Sequence, residues 1–369
     1  MSEWSSRITN IVDSHVHMGP IDQEENMEAI RRAAGTDRIN LVSIQNPEQG
    51  SGLPQSLYMK ARHPQTYYVF AGLNHAARRF DGKVTTRSLT EQVDLFAAMG
   101  CDGIKMIEGK PTARQVMDIP VTDPYFAEYW ARVEELQTPI TWHVNDPEEF
   151  WDPATTPSWA LERNWGYGPE DVTKEQMYAE VDEVLARHPQ LRIVFAHFYF
   201  LSADVPRAKR FLDAHPTVSI DLTPGIEMLH NLSGNPEASR QFFIDHAERI
   251  IFGTDLFSSL TLDEGWARPG IVYRWLESDD TFRVPPEADF LLGSPEDGEI
   301  RGLGLPDEVL ERIYRTNIEA LVGVTPKALD VGRAVEKCQA LAAVAEILSG
   351  TPAGETEAGR VAQRLADAV

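Results

Sequence analysis

Eight short runs of apolar and β-branched residues recur along the chain. They are Ile8–Asp13, Ile39–Ile44, Tyr67–Leu73, Gly103–Ile107, Pro139–His143, Leu191–His197, Val218–Leu222 and Ile250–Asp255. Few of them alternate between polar and apolar positions. A near-continuous apolar run marks a strand covered on both faces, as in a parallel sheet packed under helices. Helical spacing fills the gaps. Glu24–Ala34 and Leu57–Arg62 are short, and Leu89–Met99 is amphipathic and stops at Gly100, which predicts a C-cap. Asp123-Pro124 opens a helix through Leu136, with Asp as N-cap and Pro at the first helical position. Thr173-Lys174-Glu175-Gln176 is a capping-box pattern opening a helix to His188, and Ser202–Ala214 and Pro236–Glu248 follow. A strand–helix unit repeated eight times predicts a (β/α)8 TIM barrel, whose active site lies at the C-terminal strand ends. An open doubly wound sheet is the alternative, but no GxGxxG follows a strand.

Two stretches break the rhythm. Asp146–Asp171 carries Phe150, Trp151, Trp159, Trp165 and Tyr167, and fits either a lid over the pocket or a satellite core. Leu256–Pro306 is rich in Pro, Gly and acidic residues and reads as a loop insertion. Asp307–Leu321 supplies the last barrel helix. Beyond Pro326 an Ala-rich helix is broken near Gly350–Gly354, and a second runs to Val369. The expected organisation is a barrel over residues 1–325 and a helical extension over residues 326–369. Val331, Val335, Cys338, Leu341, Val344 and Leu348 fall at helical spacing, so the extension should pack on the barrel or on a partner subunit.

Charge narrows the partners. The formal net charge of -23 disfavours nucleic acid and acidic membranes, so an anionic substrate would need locally placed cations. Cys101 and Cys338 are too few and too far apart for a disulfide framework, and a reducing compartment is the default. Met1–Thr9 lacks an apolar signal core, and no apolar run approaches a membrane span. A cytoplasmic protein is expected.

The chemistry gathers at the strand ends. His15 and His17 lie two residues apart in Ile11-Val12-Asp13-Ser14-His15-Val16-His17, so they point to one face of a strand and can chelate one ion. A polar strand end with solvated histidines is the plain alternative. Three further runs end the same way: Trp142-His143, Ala196-His197 and Gly253-Thr254-Asp255. Four histidines and an aspartate at one end of a barrel define a candidate metal centre.

This set, with the closing helix Ile313-Tyr314-Arg315-Thr316-Asn317, resembles the amidohydrolase superfamily. The nearest branch is that of metal-dependent hydrolases and decarboxylases related to aminocarboxymuconate-semialdehyde decarboxylase. The resemblance runs from Asp13 to about Gly323. It implies that His15, His17, His143 and Asp255 hold a divalent metal, zinc first and manganese as the alternative. It also implies that Asp255 and His197 handle protons, with Asp13 orienting a neighbouring strand end. Lys105 either binds a substrate carboxylate or, carbamylated, bridges two metals; otherwise one ion is expected. Lys110 and Arg114 follow it and could complete an anion clamp, or sit in a solvated loop. The implied activity is hydrolysis of an ester, lactone or amide in a small, carboxylate-bearing molecule by metal-activated water. Non-oxidative decarboxylation is the rival, and a non-catalytic metal binder the second. A homo-oligomer is expected.

Overall fold

The computed structural model describes residues 5–44, 51–79 and 84–367. Its main sheet contains β1 (Ile11–His17), β2 (Thr36–Val42), β3 (Tyr67–Gly72), β4 (Gly103–Gly109), β5 (Ile140–Val144), β6 (Ile193–Phe195), β7 (Val218–Asp221), β8 (Ile250–Ile251) and β9 (Leu256–Phe257). The spatial order is β8-β7-β6-β5-β4-β3-β2-β1-β9, and every pairing is parallel. β8 and β9 are two halves of one run. Between them, Ser14 N donates to Phe252 O at 3.0 Å and Asp255 N to His15 O at 2.8 Å. These bonds tie the eighth strand position to the first and close a (β/α)8 barrel.

Burial explains the apolar runs. All of β3 and β5 is buried, and so is all but the last residue of β1. Val12, Phe70, Val194 and Ile251 come from β1, β3, β6 and β8, yet pack in one cluster with Ile318 and Val322. Non-neighbouring strands meet like this only across a barrel interior. Tyr68 donates to Gly323 O at 2.8 Å, fastening the helix Asn317–Val322 to the same end.

The helix signals act through their backbone groups. Ser88 and Glu91 make a reciprocal capping box at Leu89–Met99, which ends at Gly100 with φ 90°. A Cβ on Gly100 would lie 2.1 Å from Ala328 O, so both the turn and the close approach require glycine. Thr173 and Gln176 form the expected box at Lys174–Arg187, with His188 as C-cap.

Three readings need revision. The helix read as Leu57–Arg62 begins earlier, at Leu53, with Pro54 in its first turn. The start at Asp123-Pro124 is a 3-10 turn, and the α-helix proper is Ala127–Leu136. The largest change lies in the stretch read as a loop insertion after the eighth strand. It holds the 16-residue helix Leu262–Glu277, almost wholly buried along its second half despite Pro269. Gly265 and Pro269 mask its helical spacing, and its buried Arg268 reads as a surface residue from sequence.

The aromatic insertion makes a small satellite core: Phe150, Ala160 and Tyr167 are buried, with Trp151, Trp159 and Trp165 packed on them. The tail forms helices Val331–Ser349 and Glu357–Ala366. The reading of a helix to Val369 extends beyond the described residues. The second tail helix packs on Leu53–Arg62. Asp330 N donates to Met99 O at 2.9 Å, Ile21 N to Glu357 Oε1 at 2.6 Å, and Arg360 pairs with Asp22 at 2.6 Å. No described helix is long and apolar enough to cross a membrane.

Candidate metal centre

β1 delivers His15 and His17 to the mouth of the barrel, and the turn after β8 delivers Asp255. His17 Nε2 lies 3.1 Å from Asp255 Oδ1, and His15 Nε2 lies 3.7 Å from the same oxygen. One donor atom from each of the three falls within 4.8 Å of the others. Asp255 adopts φ 56°, a left-handed conformation that Asp tolerates better than most residues. Thr254 holds that turn through Asp13: Asp13 Oδ1 accepts from Thr254 N and from His15 N, both at 3.1 Å. Asp13 therefore ties the first strand end to the eighth.

Hydrogen bonds assign the imidazole protons. His15 Nδ1 donates to Asp221 Oδ2 at 2.9 Å, which leaves the Nε2 lone pair facing Asp255. Thr223 Oγ1 donates to Asp221 Oδ1 at 2.6 Å, so it accepts from His197 Nδ1 at 3.0 Å. His197 Nε2 is then the basic nitrogen. Burial lowers His15, and pushes His143 down to about 4 and His197 to about 3. All three are neutral near pH 7, the form that donates a lone pair to a metal or takes a proton.

Asp221, at the end of β7, carries no motif. Its only sequence signal is an acidic residue near the end of the run Val218–Leu222. Burial alone would raise its carboxyl, but the bond from His15, the neighbouring histidines and Thr223 bring it down to about 2. It fixes His15 through the side chain and His197 through the backbone, where His197 N donates to Oδ1 at 2.8 Å. Partners of this kind behind a ligating histidine typically tune metal affinity about 10–100-fold. Asp221→Asn should weaken zinc binding by about that factor with the fold intact, read by titrating the metal-free protein.

His197 sits in an unusual turn. His197, Phe198, Tyr199 and Phe200 all have positive φ, between 50° and 57°. A left-handed turn without glycine costs energy at each residue, and such strain concentrates at functional sites. Here it stacks Phe200 on His197 with ring centroids 5.2 Å apart, and sets His197 4.8 Å from His143 and 5.6 Å from His15.

His143 stands one ring further from the three converging groups. Its Nε2 lies 2.9 Å from Asn145 O and 3.3 Å from Asp146 Oδ1. Nε2 must carry the proton to donate to that carbonyl, so Nδ1 keeps the lone pair.

The cations divide. Lys105, at β4, places Nζ 3.0 Å from His15 Nε2 and is 3% exposed. Burial pushes its ammonium down to about 8 against the pull of Asp221 and Asp255. Lys110 instead pairs with Asp146 and lies 4.4 Å over the Trp165 ring. Arg114 belongs to the short helix Pro111–Met117, where its Nε lies 3.9 Å from Glu180. Lys105 thus reaches His15 directly, Lys110 shares Asp146 Oδ1 with His143 Nε2, and Arg114 turns to Glu180.

A parallel barrel with an imidazole–carboxylate cluster at its C-terminal mouth defines a class of metal-binding TIM-barrel proteins. The family model described as "Amidohydrolase" matches residues 12–324, and the chain belongs to that family. No curated protein matches the chain in sequence. The fold is shared with 2,6-dihydroxybenzoate decarboxylase from Rhizobium, at 16% identity and TM-score 0.51, covering 85% of this chain and 99% of that one. It is also shared with 5-carboxyvanillate decarboxylase from Sphingomonas paucimobilis, at 12% identity and TM-score 0.51, covering 86% and 100%.

Proposed function

We propose that this chain is a metal-dependent hydrolase that cleaves an ester, lactone or amide of a small, carboxylate-bearing molecule. The observation that carries the reading is the convergence of His15 Nε2, His17 Nε2 and Asp255 Oδ1. The donor set fits a divalent metal: two imidazoles and a carboxylate suit zinc first, with manganese the alternative, and His143 Nδ1 can complete it. Bound there, a divalent ion supplies Lewis acidity towards a carbonyl and lowers the pKa of water.

The chain's own groups do the rest. Asp255 accepts the proton of the attacking water. Burial opposes its ionisation, but the bond from His17 and the surrounding histidines hold its carboxyl well below the usual range, so it is ionised near pH 7. His197, with Nδ1 held by Thr223, presents Nε2 to the substrate side and relays the proton to the leaving group. Lys105 Nζ, 3.0 Å from His15 Nε2, orients the substrate carboxylate.

The experiment is hydrolysis of generic esters, lactones and amides by the zinc- and manganese-loaded protein. Turnover should appear with at least one class and disappear with chelator. Carbon dioxide release from small aromatic or unsaturated acids, without hydrolysis, would replace this reading with decarboxylation. That second reading is favoured by the names of the two fold relatives.

A further inference from the structure

A second polar recess shares Phe200 with the histidine cluster. Phe200 packs on His197 and, at 5.4 Å, on His143. The same residue lines a cavity of about 380 Å³ together with Glu149, Lys174, Tyr178, Glu227 and Asn231. Glu227 belongs to the helix Ile226–Ser233, just beyond Thr223, so one short connection joins the His197 anchor to the recess.

Glu227 is 8% exposed, and neither carboxylate oxygen reaches a hydrogen-bond partner in another described residue. Glu149 Oε2 is likewise buried and unpartnered. Burying carboxylate oxygens without donors is costly, so native chains rarely leave them so without a role. The nearby cations are engaged: Lys174 pairs with Glu148 at 3.2 Å and Arg207 with Glu175 at 2.7 Å. Burial and the facing Glu149 push the Glu227 carboxyl up to about 7. Lys174 and Arg207 line the recess but are bonded elsewhere, and the lining stays acidic, with Glu148, Glu149, Glu175, Asp204 and Glu227 against those two cations. The chain's net charge of -23 draws small cations towards it at long range.

We infer that the Glu227–Glu149 recess is the subsite for a primary ammonium group on the substrate whose scissile bond lies at His15, His17 and Asp255. The inference rests on the hydrolytic reading for the position of that bond. It makes the substrate a derivative of an amino acid, with its carboxylate end near Lys105 and its ammonium beyond Phe200.

The test is calorimetric binding of 5-aminopentanoate and of pentanoate to the metal-loaded full-length protein. The amine should bind at least about tenfold tighter, as a charge-assisted hydrogen bond allows. Glu227→Gln keeps the shape and should abolish that difference while metal content stays at the wild-type level. Equal affinities, binding of neither compound, or a preference that survives Glu227→Gln would overturn the inference. A second zinc ion lost in Glu227→Gln, without any amine preference, would do the same by making the recess a metal site. An amine preference in protein that holds no metal would keep the subsite and remove the hydrolytic reading instead.

Discussion

Asp255→Asn is expected to retain part of its bound metal and to lose about 10²–10⁴-fold in turnover, the usual worth of a positioned proton acceptor. Asn preserves the size of the side chain and the left-handed backbone, which it tolerates as well as Asp does. It keeps an oxygen near His17 Nε2, 3.1 Å away in the native chain. What it cannot do is take a proton from water. Rate and metal content measured on the same preparation separate the two roles. Unchanged kcat would remove Asp255 from the proton path. Equal loss of metal and rate would leave it a ligand only.

The largest stability effect should come from a residue outside every sequence motif. Arg268 is fully buried in the helix Leu262–Glu277. Its Nε and Nη2 each lie 2.5 Å from an oxygen of Asp289, and its Nη1 donates to Thr254 O at 2.9 Å. Removing one member of a buried pair strands the other, at a cost of about 3–5 kcal/mol. Arg268→Ala should therefore shift the urea midpoint far down. It should also loosen Asp255, because the Thr254 carbonyl loses the donor that fixes its turn. The double variant Arg268→Met with Asp289→Leu should recover much of the stability, since an apolar pair of similar volume carries no unmatched charge. A single variant as stable as wild type would show that water reaches Asp289 without penalty.

The site was legible in the sequence wherever chemistry sits on a strand. His15 and His17 share a face because strand periodicity demands it, and Asp255 follows its apolar run directly. Asp221 was not legible, because its role arises only when barrel closure brings the end of the seventh strand within side-chain reach of the first. Pairing partners were not legible for the cations that follow Lys105: Lys110 pairs with Asp146, which also meets His143 Nε2, and Arg114 lies towards Glu180. Capping residues marked helix starts well, as at Thr173, because a cap is a local bond. The helix Leu262–Glu277 was hidden because glycine, proline and a buried arginine are poor helical signals until tertiary contacts compensate them.

Metal content bears on the central claim most directly. Purified wild-type protein loaded with zinc or manganese and desalted should hold about one ion per chain, as a mononuclear site of this donor type requires. His15→Ala and His17→Ala should each lose most of it while keeping the wild-type circular dichroism spectrum. Two ions per chain, one of them lost in Lys105→Ala, would make Lys105 a bridge between metals. Full retention of metal by both histidine variants would contradict the site.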